Sequence, residues 1–361
     1  MKKIVILDGK TLGDIELEKL SEIGEVKYYD TTDISEVKER IRDANIVLTN
    51  KVVLNRENLS EASNLEFIAE VATGFNNIDV EYAKEKGIGV ANVAGYSTNA
   101  VVQHTFALVL SLLDEVTYYD SYVKSGEYST SILLNPVATS AINSKLLASL
   151  KFSLLDEVTY YDSYVKSGEY SKSGLFTCLD KPYYEIEGKT WGIIGLGNIG
   201  RKVAKIAEAF GAKVIYYSTT GNNSNGEFSR VSFNELLSKS DIISIHAPLS
   251  KNTLGLLDYE ALCKMKNSSI LVNMGRGPIV VEEDLARAID ENKIRGAALD
   301  VFEVEPIKIN SPLLTMKNKD KIILSPHIAW ASVEARERLF NEVIENIIAF
   351  YNGEIRNRVD K

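Results

Sequence analysis

Cysteine is nearly missing from this chain of 361 residues: only Cys178 and Cys263 occur, with no C-x-x-C and no metal-ligating cluster around either. A disulfide framework and a zinc site are thereby excluded, and a reducing cytoplasm fits. Positive charge is short as well. The chain carries 41 Lys and Arg against 50 Asp and Glu, a net charge of -9 and a pI near 5.2. A phosphate-neutralising surface needs clustered cations, so no nucleic-acid partner is expected. Long apolar runs are also absent. The longest, Ala100 to Leu113, contains Gln103 and His104 and is too short to span a bilayer. The basic start M-K-K-I-V-I-L-D-G offers only Ile4 to Leu7 before Asp8, far short of a signal-peptide core, and is expected to be a first strand. No membrane partner is expected, and a cytoplasmic location is.

What is present is the balance of a soluble globular protein, 45% hydrophobic and 25% charged, at a length beyond one typical domain. Its most informative stretch is Thr190 to Arg201, T-W-G-I-I-G-L-G-N-I-G-R. The apolar Trp191, Ile193 and Ile194 lead into a G-x-G-x-x-G made by Gly195, Gly197 and Gly200. Lys202 to Phe210 then carries Val203, Ile206, Ala207 and Phe210 at helical spacing, and Lys213 to Tyr217 reads as the next strand. Such glycines make a tight turn, let backbone approach a pyrophosphate and let helix pack on strand, while free N–H groups at the helix start hold the anion. The motif alone is weak; the strand, turn, helix and strand around it point to a dinucleotide.

Upstream, short β-like runs (Ile4 to Leu7, Glu25 to Tyr29, Asn45 to Leu48, Leu65 to Glu70, Gly87 to Val90) alternate with helical patterns at Asp14 to Ile23, Asp33 to Ile41 and Val80 to Lys86. The alternation predicts a parallel sheet wrapped by helices. The loop Val71 to Asp79, V-A-T-G-F-N-N-I-D, follows the fourth run, where such folds bind ligands; the plainer reading makes Asp79 a helix N-cap. Ser97 to Ser129 reads as one long helix bridging two domains. Its His104 is either a ligand contact or, as is commoner on an apolar helix, a satisfied core residue.

Ser111 to Ser129 then recurs identically as Ser153 to Ser171, offset by 42 residues, around the charge-poor spacer Thr130 to Phe152. A single identical pair is not a solenoid, which needs three or more diverged units. The extra segment, about 130–171, reads as a functionally irrelevant duplication.

After the glycine turn the βα rhythm resumes, with strands expected at Lys213 to Tyr217, Asp241 to Ile245, Ser269 to Asn273, Gly296 to Val301 and Ile322 to Leu324. Helices are expected near Phe233 to Ser238, Glu282 to Asn292 and Val333 to Tyr351, the last packing back on the first domain. Three signals follow these strands: Arg276 in N-M-G-R-G, Asp300 and Glu305 in D-V-F-E-V-E-P, and His327 in S-P-H-I-A-W. A guanidinium grips a carboxylate through two bonds. An unperturbed histidine titrates at about 6.5, and a carboxylate in hydrogen-bond reach favours its charged form. Together the three suit proton transfer to the carbonyl of a 2-keto acid.

Gly195 to Gly200, H-A-P-L (His246 to Leu249), N-M-G-R-G-P, A-L-D-V-F-E-V-E-P and S-P-H-I-A-W-A-S resemble the D-isomer-specific 2-hydroxyacid dehydrogenase family. The resemblance covers the chain apart from the duplicated excess. Within the family, A-T-G-F-N-N-I-D, A-V-V-Q-H-T-F-A-L and H-I-A-W are most like the glycerate dehydrogenase (hydroxypyruvate reductase) group. The resemblance implies an α/β fold of two doubly wound domains: a flavodoxin-like substrate domain (1–98 and 329–361) and an inserted Rossmann domain (99–328). It implies a homodimer that converts a small 2-keto acid to its D-2-hydroxy acid with NAD. Arg276 would clamp the substrate carboxylate with help from Thr73 and Gly74, Glu305 would pair with His327, and His327 would be the acid and base. Gly195, Gly197, Asn198, Ile199, Gly200, Ser218, Ala247, Pro248, Asn273, Met274 and Asp300 would bind the cofactor, Asp300 at the nicotinamide amide. One departure stands out. Where NAD-preferring members carry an acid at the end of the second nucleotide strand, this chain has Ser218, Thr219, Thr220 and Gly221, with no Arg adjacent. NAD remains the expectation, NADP not being excluded, because nothing basic in the neighbouring sequence awaits a 2′-phosphate. D-lactate or phosphoglycerate dehydrogenase and a dinucleotide-sensing corepressor are the competing readings.

Overall fold

The computed structural model describes residues 1–13, 17–114, 164–174, 176–177, 184–222 and 226–361. They divide into two compact units, Met1–Ala100 with Trp330–Lys361, and Val101–Ala329. Most of both duplicated copies, the whole spacer and Cys178 lie outside the described residues.

In the first unit, β1 (Lys2–Ile6), β2 (Gly24–Tyr28), β3 (Ile46–Thr49), β4 (Phe67–Glu70) and β5 (Gly89–Ala91) form a parallel sheet in the order β2-β1-β3-β4-β5. That is the flavodoxin-type order, whose direction reverses beside β1. Every residue of β3 and β4 is buried, as a parallel sheet covered on both faces requires. One covering is the helix Val333–Tyr351. It starts at Ser332, whose hydroxyl accepts the Ala335 N–H at 3.2 Å, and it packs Leu339, Phe340, Val343 and Ile347 on Ile4, Ile6 and Phe67. Each such buried aliphatic or aromatic side chain contributes roughly 1.5–3 kcal/mol.

In the second unit, β6 (Thr190–Ile194), β7 (Lys213–Tyr217), β8 (Ser229–Arg230), β9 (Ile242–Ile245), β10 (Ile270–Asn273), β11 (Gly296–Leu299) and β12 (Ile322–Leu324) are all parallel. Their order, β12-β11-β10-β9-β6-β7-β8, is the dinucleotide-fold order with a seventh strand added. It reverses between β6 and β9, and the carboxyl ends of those strands open a crevice there. The core under them is anchored by Trp191, fully buried, whose indole N–H donates to Ser244 Oγ at 2.9 Å.

Local outcomes differ from the sequence expectations mainly where elements are short. The helix expected over Asp14 to Ile23 is helical only at Glu18–Ser21, after a 3-10 turn at Gly9–Leu12, with 14–16 outside the described residues. The helix expected to begin at Lys202 begins at Asn198, immediately after the second glycine of the motif. The long bridging helix runs Thr98–Asp114, and its expected continuation to Ser129 lies outside the described residues. Asp79 is a helix N-cap, accepting from the Tyr82 N–H at 3.0 Å.

Candidate active site

The glycine turn is built as its spacing requires. Gly195 has φ +93, and a Cβ there would lie 2.8 Å from the Ala247 backbone, so strand end and neighbouring loop approach too closely for a side chain. A Cβ on Gly200 would lie 2.3 Å from the Gly195 carbonyl, which is where the helix presses on the strand. Gly197 differs: a Cβ there would meet nothing within 4 Å. The open glycine stands at the N-cap of the helix Asn198–Ala209, whose first N–H groups lack intrahelical partners. Ile199 packs on the core behind, while Asn198 is exposed. Two fitted glycines and one open glycine at a helix start suit a pyrophosphate.

Arg276 is carried by a wedged loop. A Cβ on Gly275 would lie 2.6 Å from the Ala247 carbonyl and one on Gly277 would lie 1.8 Å from the Phe302 carbonyl, so both flanks of the arginine are pinned. The buried Asn273 side chain closes the turn, accepting from the Gly275 N–H at 3.0 Å and donating to the Arg276 carbonyl at 2.9 Å. The guanidinium is exposed and makes one bond, to the Gly275 carbonyl at 2.8 Å. Met274 and Ala247 are buried and Pro248 is exposed, after β10 and β9.

His327 and Glu305 meet. Nδ1 of His327 lies 2.8 Å from Glu305 Oε2, both side chains partly exposed. His327 has φ +54, a left-handed conformation that a β-carbon disfavours. Asp300 holds it there. This carboxylate, 2% exposed, accepts from the Ser325 hydroxyl at 2.6 Å, the Ile328 N–H at 2.9 Å and the Ala329 N–H at 3.0 Å. It thereby clamps the backbone on both sides of the histidine. His104 joins the cluster with Nε2 3.1 Å from Ser325 Oγ and 3.6 Å from Asp300 Oδ1. Asp300, expected at the nicotinamide amide, is here a positioning residue for the histidine segment, which the sequence did not suggest.

Thr73 and Gly74 belong to the first unit, in the loop after β4. The Thr73 hydroxyl donates to the Val93 carbonyl at 2.9 Å and its own carbonyl accepts from Asn92 Nδ2 at 2.7 Å. Its hydroxyl is committed, leaving backbone as the available donor.

Residues 148–329 match the family model for the NAD binding domain of D-isomer specific 2-hydroxyacid dehydrogenases. The hydroxypyruvate reductase of Blautia hydrogenotrophica is 37% identical, with 99% of this chain and 100% of that protein covered. The chain belongs to this family. The glycerate dehydrogenase of Methylorubrum extorquens is 32% identical over 99% of each protein. Among solved structures, the D-lactate dehydrogenase of Aquifex aeolicus, complexed with NAD and lactic acid, superposes with a TM-score of 0.74 at 26% identity, covering 99% of each chain. The protein is therefore an oxidoreductase that uses NAD(P) to interconvert 2-keto and 2-hydroxy acids.

This dehydrogenase has three histidines, and their environments separate them. Burial pushes His246 down to about 3, so it stays neutral; its Nε2 lies 3.0 Å from Ser244 Oγ and its Nδ1 has no partner. His104 is tied into the Ser325 and Asp300 cluster, and His327 alone is bonded to a glutamate. At the end of β7, Ser218 is 5% exposed and its hydroxyl has no partner. The structure corrects the expectation that nothing basic stands near: Arg230 of β8 donates from Nη1 to the Gly221 carbonyl at 2.8 Å. Nine residues of separation and a two-residue strand hid that approach from pattern reading. Among the described residues no His, Cys, Asp and Glu cluster suits a metal, and no helix is long and apolar enough to cross a membrane.

Proposed function

We propose that this dehydrogenase reduces hydroxypyruvate to D-glycerate, with His327 as proton donor, Glu305 as the carboxylate that orients it and Arg276 as the substrate clamp. The observation that carries the roles is the 2.8 Å bond between His327 Nδ1 and Glu305. It occupies Nδ1 and leaves Nε2 as the working nitrogen. The choice of hydroxypyruvate rests on the hydroxypyruvate reductase and glycerate dehydrogenase relatives, which match over nearly their whole length.

The residues proposed to hold the cofactor are the turn Gly195 to Gly200 with Ala247, Pro248, Asn273 and Met274. A reduced nicotinamide held there would supply the hydride that reduction of the keto carbon requires. His327 gives the Nε2 proton to the carbonyl oxygen, so C=O becomes CH–OH, and the imidazole left behind stays bonded to Glu305. Arg276 holds the carboxylate through two parallel bonds that an ammonium could not reproduce. Asp300 acts through the backbone it clamps. Scarce cysteine supports a cytoplasmic setting and the family resemblance supports a homodimer; sedimentation as a monomer would remove the latter.

The test is oxidation of NADH and NADPH with hydroxypyruvate, glyoxylate, pyruvate and phosphohydroxypyruvate. Hydroxypyruvate is expected to give the highest kcat/KM. Pyruvate or phosphohydroxypyruvate ahead of it would move the assignment to a lactate or phosphoglycerate dehydrogenase, and cofactor binding without turnover would favour a dinucleotide sensor.

A further inference from the structure

Phe302 and Glu303 lie between β11 and Glu305, and two parts of the candidate site lean on the peptide that joins them. One is the arginine loop: a Cβ on Gly277, next to Arg276, would lie 1.8 Å from the Phe302 carbonyl oxygen and 2.5 Å from the Glu303 nitrogen. The other is Glu305, whose Oε1 accepts from the Phe302 N–H at 3.1 Å while its Oε2 meets His327 Nδ1 at 2.8 Å. What fixes the peptide is Glu282, the first residue of the helix Glu282–Asp290 and only 7% exposed. Its Oε1 accepts from the Glu303 N–H at 2.7 Å and its Oε2 from the Ser311 hydroxyl at 3.1 Å. Glu303 reciprocates, its own Oε1 accepting from the Glu282 N–H at 2.8 Å. A first-turn acid that served only the helix dipole could face water, as Glu283 does. Glu282 instead gives up its hydration, a cost that donors at both of its oxygens offset.

We infer that Glu282 is a positioning residue of the reaction: by holding the Glu303 N–H it fixes the Phe302–Glu303 peptide, from which Glu305 is oriented toward His327 and against which the Arg276 loop is seated. The inference rests on the proposed roles of Glu305 and His327 and adds the group that sets their geometry. The bonds of Glu282 go to Glu303 and Ser311, so it acts through the backbone. Of the charged groups around His327, Glu305 bonds to it, and Asp300, with His104 3.6 Å from that carboxylate, holds its backbone; none of these contacts involves Glu282.

The pH profile of kcat/KM for reduction of hydroxypyruvate, or of whichever 2-keto acid is reduced best, tests this in the full-length protein. The proteins compared are wild type, Glu282→Ala, Glu282→Gln, Glu305→Gln and the double variant Glu282→Ala/Glu305→Gln, with thermal unfolding to follow the fold. Glu305→Gln should move the alkaline limb to lower pH, because an amide no longer favours the charged form of His327. Glu282→Ala should move it the same way and lower kcat/KM near neutral pH by about 10- to 100-fold, as a catalytic group displaced by up to an ångström would. Glu282→Gln should restore the wild-type profile, since its amide oxygen can accept the Glu303 N–H while its NH₂ donates to the Ser311 hydroxyl. The double variant should shift no further than Glu305→Gln alone, because both changes act on one bond. If Glu282→Ala does not fold, Glu303→Ala, which removes the reciprocal bond at an exposed residue, should show the same shift in smaller measure. A Glu282→Ala or Glu303→Ala protein that melts earlier but keeps the wild-type profile, or a Glu282→Gln protein shifted as far as Glu282→Ala, overturns the inference and leaves Glu305 in its role. A Glu305→Gln profile identical to wild type overturns both.

Discussion

Two buried carboxylates, one in each unit, follow parallel strands and meet opposite fates. Asp300, just past β11, collects a hydroxyl and two backbone N–H groups and shapes the segment bearing His327. Glu70, the last residue of β4, is fully buried yet receives only Asn77 Nδ2, at 3.1 Å on Oε2, and its Oε1 has no partner. Burial, reinforced by the nearby Asp8 charge, pushes Glu70 up to about 9, so it is protonated at neutral pH. Asp8 is an intermediate case: backbone N–H groups of Asn50, Lys51 and Val52 converge on it, yet burial still raises it. The difference teaches that a carboxylate under a strand end organises a site only when donors converge on it; otherwise it persists as a neutral acid.

The largest expected effect comes from removing what Asp300 serves. His327→Gln takes away the proton donor and should lower kcat by about 10²- to 10⁴-fold, the usual size of general acid catalysis. Steady-state kinetics with hydroxypyruvate checks it, and a kcat within tenfold of wild type would remove His327 from the proposed role.

Next comes the clamp itself. Asp300→Asn keeps the shape but turns one acceptor into a donor, so an NH₂ group must face either the Ile328 N–H or the Ala329 N–H. The variant should lose about 2 kcal/mol of stability, the cost of a buried bond to a charged group, and lose activity with it. Urea unfolding at neutral pH gives the number. Glu70→Gln under the same conditions should cost nothing or stabilise, because a neutral acid is exchanged for a neutral amide in the fold while the unfolded chain loses an ionised carboxylate that favours it. Equal losses at the two sites would collapse the distinction between them.

The smaller effect is a pH dependence confined to the first unit. Between its ordinary carboxyl value of 4.5 and about 9, folded Glu70 holds a proton that the unfolded chain has released. Stability attributable to it therefore falls as pH rises through that window, by at most about 1.4 kcal/mol per pH unit. Glu70→Gln does not titrate, so its stability relative to wild type should grow from about pH 6 to about pH 8.5. Parallel unfolding curves at the two pH values would mean that Glu70 is ionised in the folded protein.

Neither carboxylate's role was legible in the sequence, and the reason is physical. The partners of Asp300 lie 25 to 29 residues away, so only the fold brings them together. Glu70 closes the apolar run F-I-A-E, which reads as a strand end whatever the carboxyl does. What could be read was what periodicity or close packing constrains. The helix Val333–Tyr351 spans enough turns for its apolar face to show, and the three motif glycines are set by two clashes and one open approach. Helices such as Arg56–Leu59, Tyr259–Cys263 and Pro312–Thr315 are a turn or so long, too short to display a period, and were missed. Glu305 and His327 were each visible as residues after a strand, but their bond depends on the left-handed backbone at His327, which no local pattern signals.

The smallest effect is expected from the largest change. The two copies of Ser111 to Ser129 are identical, so deleting Thr130 to Ser171 produces the same sequence as deleting the 42 residues that follow Ser111. Either cut leaves one copy leading from the helix Thr98–Asp114 into the helix Glu169–Ser173. The match to the NAD binding domain begins at residue 148, taking in the second copy and leaving out the first. Closing a loop costs free energy that grows only logarithmically with length, about 0.6 kcal/mol per doubling, so a change of 42 residues in the length to be closed is expected to alter that cost little. The shortened chain of 319 residues is therefore expected to stay soluble and folded, with hydroxypyruvate reduction equal to or above that of the full chain. Circular dichroism, thermal unfolding and the same kinetic assay measure this. Loss of folded protein on deletion would show that the extra segment has become a structural part of this dehydrogenase.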